Sequence, residues 1–174
     1  MKLYLNTTPC QYVNSKTKKA IDHINHTTAI ACEPNSGVKG IHYMTIIFTN
    51  NNKIEGRQWN IRLGNDNPIR KISILSSDKN RAHFNKVSDF FEYHRVIKKA
   101  DDLIDVLVVC NNNIRNNDIT EIIETLTGKI PNVKYDFKHI GIKDFKFTVM
   151  FDEADKPPNL NHSLRFIENF KSNN

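Results

Sequence analysis

The segment Ile104-Asp105-Val106-Leu107-Val108-Val109-Cys110 constrains the fold most, because it is a nearly continuous apolar run bounded by polar residues. A strand exposed on one side alternates apolar and polar residues, whereas an unbroken run marks a strand covered on both faces in a parallel sheet. The Asn111–Asn117 loop follows, and Asp118 or Asn117 can cap a helix carrying Ile119, Ile122, Ile123 and Leu126, stopped by Gly128 and Pro131. Val133–Phe137 and Phe145–Phe151 then read as strands, and Leu160–Phe170 as a helix. This alternation predicts an α/β fold, with a parallel or mixed sheet, flanking helices and right-handed crossovers.

Upstream the pattern is β-rich. Thr28–Cys32, Ile41–Phe48, Gln58–Leu63 and Arg70–Leu75 are separated by the turn-forming stretches Pro34–Gly37, Asn50–Lys53 and Gly64–Pro68. Two readings compete here: an antiparallel meander, or the start of an α/β sheet with the second run helical. Ser77 or Asp78 is placed to cap a helix over 79–100, where Phe84, Val87, Phe90, Phe91, His94 and Ile97 recur at three- and four-residue spacing. Residues 1–26 form a polar, Lys-rich N-terminal segment, and residues 27–174 read as one domain, β-rich over about 27–75.

Composition narrows the function classes. Apolar residues make up 39% of 174 and charged residues 25%, enough apolar surface to bury one core. A net charge of +6 favours polyanions, of which nucleic acid is the commonest in a cell. The same Lys-richness also fits an AT-rich genome, and the 23 asparagines point that way. Cys10, Cys32 and Cys110 form no paired motif, so neither a disulfide framework nor a thiol zinc site is signalled. No run approaches the roughly 18 apolar residues that cross a bilayer, and the first residues turn polar too soon for a signal peptide. The expected location is cytosol or nucleus, or the viral equivalent, with no membrane partner.

Chemistry concentrates in Phe147-Thr148-Val149-Met150-Phe151-Asp152-Glu153-Ala154-Asp155, an apolar strand delivering three carboxylates at its carboxyl end, where open α/β sheets bind ligands. In phosphoryl transfer an Asp so placed holds Mg²⁺ and a neighbouring Glu orients the attacking water. Hydrophobic residues followed by Asp-Glu-Ala-Asp resemble the Walker B motif of superfamily 2 helicases. The resemblance implies a RecA-like lobe over about 79–174, Mg²⁺ and ATP as cofactors, nucleic acid as partner, and the remainder of a helicase as a second partner. It assigns Asp152 to Mg²⁺, Glu153 to catalytic base and Asp155 to coupling. It is carried mainly by residues 100–170. Val106–Asn117, a strand ending in a polar loop with Arg115, matches in position a loop that contacts the nucleic-acid backbone in such helicases. An ordinary connection with Arg115 in solvent is the competing reading.

The phosphate-binding partner is irregular. A Walker A loop is G-x-x-x-x-G-K-[ST], since glycine amides wrap phosphates, Lys meets them and the hydroxyl holds Mg²⁺. The nearest segment, Glu33–Ile41, offers Gly37, Lys39 and Gly40, but Val38 replaces the Gly before Lys, Gly40 replaces the hydroxyl residue and the first Gly is missing. The alternative is a β-turn. The helicase reading requires this loop within about 10 Å of Asp152, because phosphate and metal share one substrate. Trp59, flanked by Arg57 and Arg62, offers a stacking platform for single-stranded nucleic acid, although a lone Trp in such a run more commonly fills a core. His23 and His26 have metal-compatible spacing without a third ligand. Together these features predict a helicase-like nucleic-acid-associated domain with little or no ATPase activity. The alternatives are a non-enzymatic nucleic-acid-binding or assembly module of viral type, and a metal-dependent nuclease using Asp152, Glu153 and Asp155.

Overall fold

The computed structural model describes Asp22 and residues 40–50, 58, 59, 61, 71–78, 82–130, 135–152 and 159–172. Four strands, β1 (Ile41–Thr49), β2 (Ile72–Leu75), β3 (Val106–Cys110) and β4 (Asp144–Phe151), form an all-parallel sheet in the order β2-β3-β1-β4. Three helices, α1 (Val87–Arg95), α2 (Asn113–Leu126) and α3 (Asn159–Ser172), complete the α/β architecture.

β3 takes the sequence-predicted place between two neighbours, and its Val106, Leu107, Val108 and Val109 are all buried. On the helix face, Met44, Ile46 and Phe48 of β1 join Leu107 and Val109 of β3 and Phe145 and Val149 of β4. Phe90 from α1, Ile119, Ile122, Ile123 and Leu126 from α2, and Phe166 from α3 close that layer. On the opposite face, Ile47, Ile74, Val106 and Val108 pack with Trp59.

Handedness explains this division. The connections β2–α1–β3 and β3–α2–β4 run in the same lateral direction across the sheet, and their helices lie on one face. The connection from β1 to β2 runs in the other direction and carries Trp59 onto the other face. Right-handed crossovers require that pairing of direction and face.

Several local expectations are corrected. Ile41–Thr49 is a strand in a parallel sheet, so the antiparallel meander and the helical alternative for this run both fail. Gln58, Trp59 and Ile61 have helical backbone in place of the expected strand, because the link between parallel neighbours must travel back along the sheet. The helix expected over 79–100 is confined to 87–95. Before it, Phe84 bridges to Leu75 and both His83 N and Phe84 N donate to Ile74 O, extending the chain beside β2. The Asp89 carboxylate then accepts from Asn85 N and Lys86 N and starts α1. α2 is capped five or six residues before the expected Asn117 or Asp118, because Asn112 accepts from Arg115 N at 3.0 Å. Tyr135–Phe137 is irregular and leads into a 3₁₀ turn at Lys138–Ile140. Its rings serve packing, with Tyr135 stacked on Phe91 and Phe137 edge-on to Phe145.

Gly40 is the turn into β1. Its φ is 88°, and a Cβ there would stand 2.9 Å from Gly141 O, so the position suits glycine alone.

Candidate functional site

The carboxyl edge of a parallel sheet is the natural ligand edge, since strand ends and helix starts meet there. In this chain it presents, across the sheet, Ser76 after β2, Asn111 after β3, Asn50 after β1 and Asp152 after β4. Backbone hydrogen bonds carry the edge one residue beyond the strands: Asn111 N donates to Thr49 O and Asp152 N to Phe48 O, each at 2.8 Å. Asp152 therefore stands where the acidic motif requires it, at the carboxyl end of the strand beside β1.

Its carboxylate has an internal partner. Trp59 Nε1 donates to Asp152 Oδ2 at 2.8 Å, and the indole is only 5% exposed. Trp59 is thus a core residue and not a stacking platform. Its ring covers one face of the sheet, and its single N–H, which burial away from water obliges to find an acceptor, finds Asp152.

The Gly40 end of the expected phosphate loop is not near this carboxylate. Gly40 precedes Ile41, which lies opposite Asp144, while Asp152 comes after the far end of β4. Residues 144 to 152 at about 3.3 Å each put the two roughly 26 Å apart, against the 10 Å that a shared nucleotide needs. Gly40 also runs directly into a strand, whereas a phosphate loop delivers its ligand to a helix N-terminus. Gly37 and Lys39 lie outside the described residues, as do Glu153, Asp155, Arg57, Arg62, His23 and His26.

Arg115 is not a loop residue offered to nucleic acid. It sits in the first turn of α2, 8% exposed, with Nη1 donating to Asp118 Oδ2 at 2.7 Å and Nη2 to Asn85 O at 3.1 Å. The guanidinium ties α2 to the segment leading into α1.

The described residues do not fit Mg²⁺ and ATP. Among them no three His, Cys, Asp or Glu side chains converge. Mg²⁺ takes one or two protein carboxylates and completes its shell with phosphate oxygens and water. Here the single described carboxylate already accepts an indole N–H, and no phosphate cradle faces it. Among the described residues no helix is long and apolar enough to cross a membrane.

The histidines with lowered pKa lie elsewhere. Burial pushes His94 down from 6.5 to about 4, against the opposing pull of Phe90 O, to which Nδ1 donates. Burial also lowers His42, opposed by Ile104 O and by Asp105. His42 is near the amino end of β1 and His94 is inside the core, so neither serves the carboxyl edge.

A feature that sequence reasoning passed over is the asparagine-lined junction of α2 and α3. Asn111 Nδ2 donates to Ser163 Oγ at 2.9 Å, Asn116 Nδ2 to His162 O at 3.0 Å, and His162 Nδ1 pairs with Asn113 Oδ1 at 2.9 Å. Beside these contacts opens a hollow of about 150 Å³. Its signal in the sequence is the asparagine-rich run Asn111–Asn117, a residue type that an AT-rich composition also favours.

Comparison with protein-family models, curated proteins and solved structures finds no match to this chain.

Proposed function

We propose that the chain is a helicase-like domain that associates with nucleic acid and hydrolyses ATP very weakly or not at all. The observation that carries this reading is the hydrogen bond from Trp59 Nε1 to Asp152 Oδ2, which gives the leading residue of the acidic motif a structural task. Helicase-like ancestry is supported by an all-parallel sheet with Asp-Glu-Ala-Asp beginning at the carboxyl end of β4. Loss of nucleotide chemistry is supported by Gly40 lying at the opposite sheet edge. Association with nucleic acid is supported by the net charge of +6, since a basic surface releases counterions from a phosphate backbone on binding.

Two titrations test this reading. A fluorescent ATP analogue with Mg²⁺ is expected to show no saturation at millimolar concentration, while a fluorescent single-stranded oligonucleotide binds with an affinity that falls steeply with salt. Saturable nucleotide binding, weakened by both Asp152→Ala and Lys39→Ala, would overturn the claim of lost ATP chemistry. Absence of both binding events would leave a protein-assembly module.

A further inference from the structure

We propose that the segment Thr28–Cys32 docks on the outer edge of β4 as a fifth, antiparallel strand. Among the described residues β4 pairs with β1 alone, which makes it an edge strand of eight mostly apolar residues. Asp144 N donates to Gly40 O and Asp152 N to Phe48 O, so the even-numbered amides of β4 point toward β1 and the odd-numbered ones point outward. Of the outward amides, Phe145 N is taken by Asp144 Oδ1 at 2.9 Å, whereas Phe147 N and Val149 N have no acceptor among the described residues. A long apolar edge with open donors is a template for another strand, and folded proteins cover or blunt it.

Apolar surface continues above that edge. On α3, Arg165, Phe166 and Asn169 face the hollow beside α2, while Leu160 and Leu164, about one turn apart, lie on the flank turned away from α2. They are 41% and 46% exposed. Because α3 follows the edge strand, this flank overhangs the outer side of β4.

The course of the chain names the occupant. Gly40 stands at the amino end of β4, where its carbonyl accepts from Lys143 N and Asp144 N, and 39 residues precede it. Thr28–Cys32, which lies outside the described residues, is the strand-patterned run nearest to Gly40 on that side. A strand beyond β4 is two strand spacings from Gly40, about 10 Å. Residues 33–39 reach up to roughly 23 Å, with Pro34 and Gly37 suited to a turn. Since this link closes at the amino end of β4, the added strand runs antiparallel, a common arrangement at the edge of an otherwise parallel sheet. Thr28, Ile30 and Cys32 share one face, which sets Ile30 against Leu160 and Leu164. The same direction brings Lys16, Lys18 and Lys19 toward the carboxyl end of β4, where Asp152, Glu153 and Asp155 supply the opposite charge.

Amide hydrogen exchange of the full chain, resolved by NMR at two protein concentrations, tests the docking. Phe147 N and Val149 N are expected to exchange at least about 100-fold more slowly than unstructured amides, equally at both concentrations. Ile30→Pro and Ala31→Pro are made separately, because successive amides of a strand point opposite ways and one of the two must face β4. At least one of them should cost the outward amides about 10-fold or more in protection, while Thr148 N, directed at β1, keeps its own. A methyl NOE between Ile30 and Leu160 or Leu164 is expected in wild type. Fast exchange at Phe147 N and Val149 N in wild type, protection that survives both proline variants, or absence of the methyl contact would overturn the assignment. Protection that grows with protein concentration would overturn it too, in favour of a second copy on the same edge.

Discussion

Acid should unfold this protein through its buried imidazoles before its carboxylates matter. His94 is 2% exposed, with its ring 4.0 Å from that of Phe90 and edge-on to Tyr93 and Phe137. Nδ1 donates to Phe90 O, which leaves Nε2 as the atom that acid protonates, and protonation there buries a cation among rings. The folded value is about 4 against 6.5 for the free side chain. Between these two values the unfolded chain binds more protons than the folded one, so stability rises with pH across that window. It is fully present above about pH 6.5, falls as pH drops below that value, and the loss levels off below about 4. At roughly 1.4 kcal/mol per pH unit the loss is about 3 kcal/mol, a large share of the roughly 5–15 kcal/mol that holds a domain together. His42, also lowered by burial, repels His94 when both are charged and acts in the same direction.

Urea unfolding followed by circular dichroism at pH 7.5, 6, 5 and 4 measures this directly. Wild type should lose most of its pH-dependent stability between 6.5 and 4, and His94→Leu, which keeps apolar volume without a titrating nitrogen, should flatten that dependence. The Asp89 carboxylate is lowered by its bonds to Lys86 N and Asn85 N, so its contribution disappears only as pH falls below its ordinary 3.8, outside the window. A His94→Leu curve running parallel to wild type from pH 6.5 to 4 would refute the argument that this imidazole is buried neutral.

Two further outcomes follow from specific contacts. Trp59→Phe keeps the ring against Ile47, Ile74 and Val108 but removes the donor to Asp152, so a double-mutant cycle with Asp152→Ala, which removes the acceptor, should give a coupling of about 0.5–1.5 kcal/mol; a value near zero would mean that the bond has no structural weight. Arg115→Met strands Asp118 and Asn85 O in a protected site and should cost about 2–3 kcal/mol by chemical denaturation, below the usual range for a fully buried pair because Asp118 keeps 18% of its side chain exposed; a cost under about 0.5 kcal/mol would return Arg115 to the surface role.

Long, strongly patterned segments were legible in the sequence. The apolar run of β3, the strand at Phe145–Phe151 and the helix over Leu160–Phe170 all correspond to elements of the structure, because both faces or one full stripe of each had to be buried. What failed were decisions that a neighbour makes. Phe84, spaced for a helix, is drawn beside Leu75, and only then does Asp89 start α1. Tyr135 and Phe137 read as strand residues because their apolar groups alternate, yet among the described residues no strand pairs with them and ring packing uses the same alternation. Arg115 looked available for phosphate because its partner Asn85 lies 30 residues away in sequence. That Asn112 caps α2, and not Asn117 or Asp118, depended on where β3 releases the chain, a matter of register with β1 rather than of residue type.

The same dependence decides how the acidic motif should be read. A Walker B carboxylate gains its meaning from a phosphate loop at the same sheet edge, because Mg²⁺ bound by one or two carboxylates relies on phosphate oxygens for the rest of its shell. With Gly40 about 26 Å away along the strands, Asp152 has no such complement among the described residues. A carboxylate in that position still has to be solvated, and the half-buried Asp152 obtains part of that solvation from the one indole N–H of the chain. The N–H needs an acceptor as much as the carboxylate needs a donor, since Trp59 is almost wholly buried against the sheet. Each group therefore supplies what the other lacks, and the acidic strand end is held by the crossover that covers the sheet's second face.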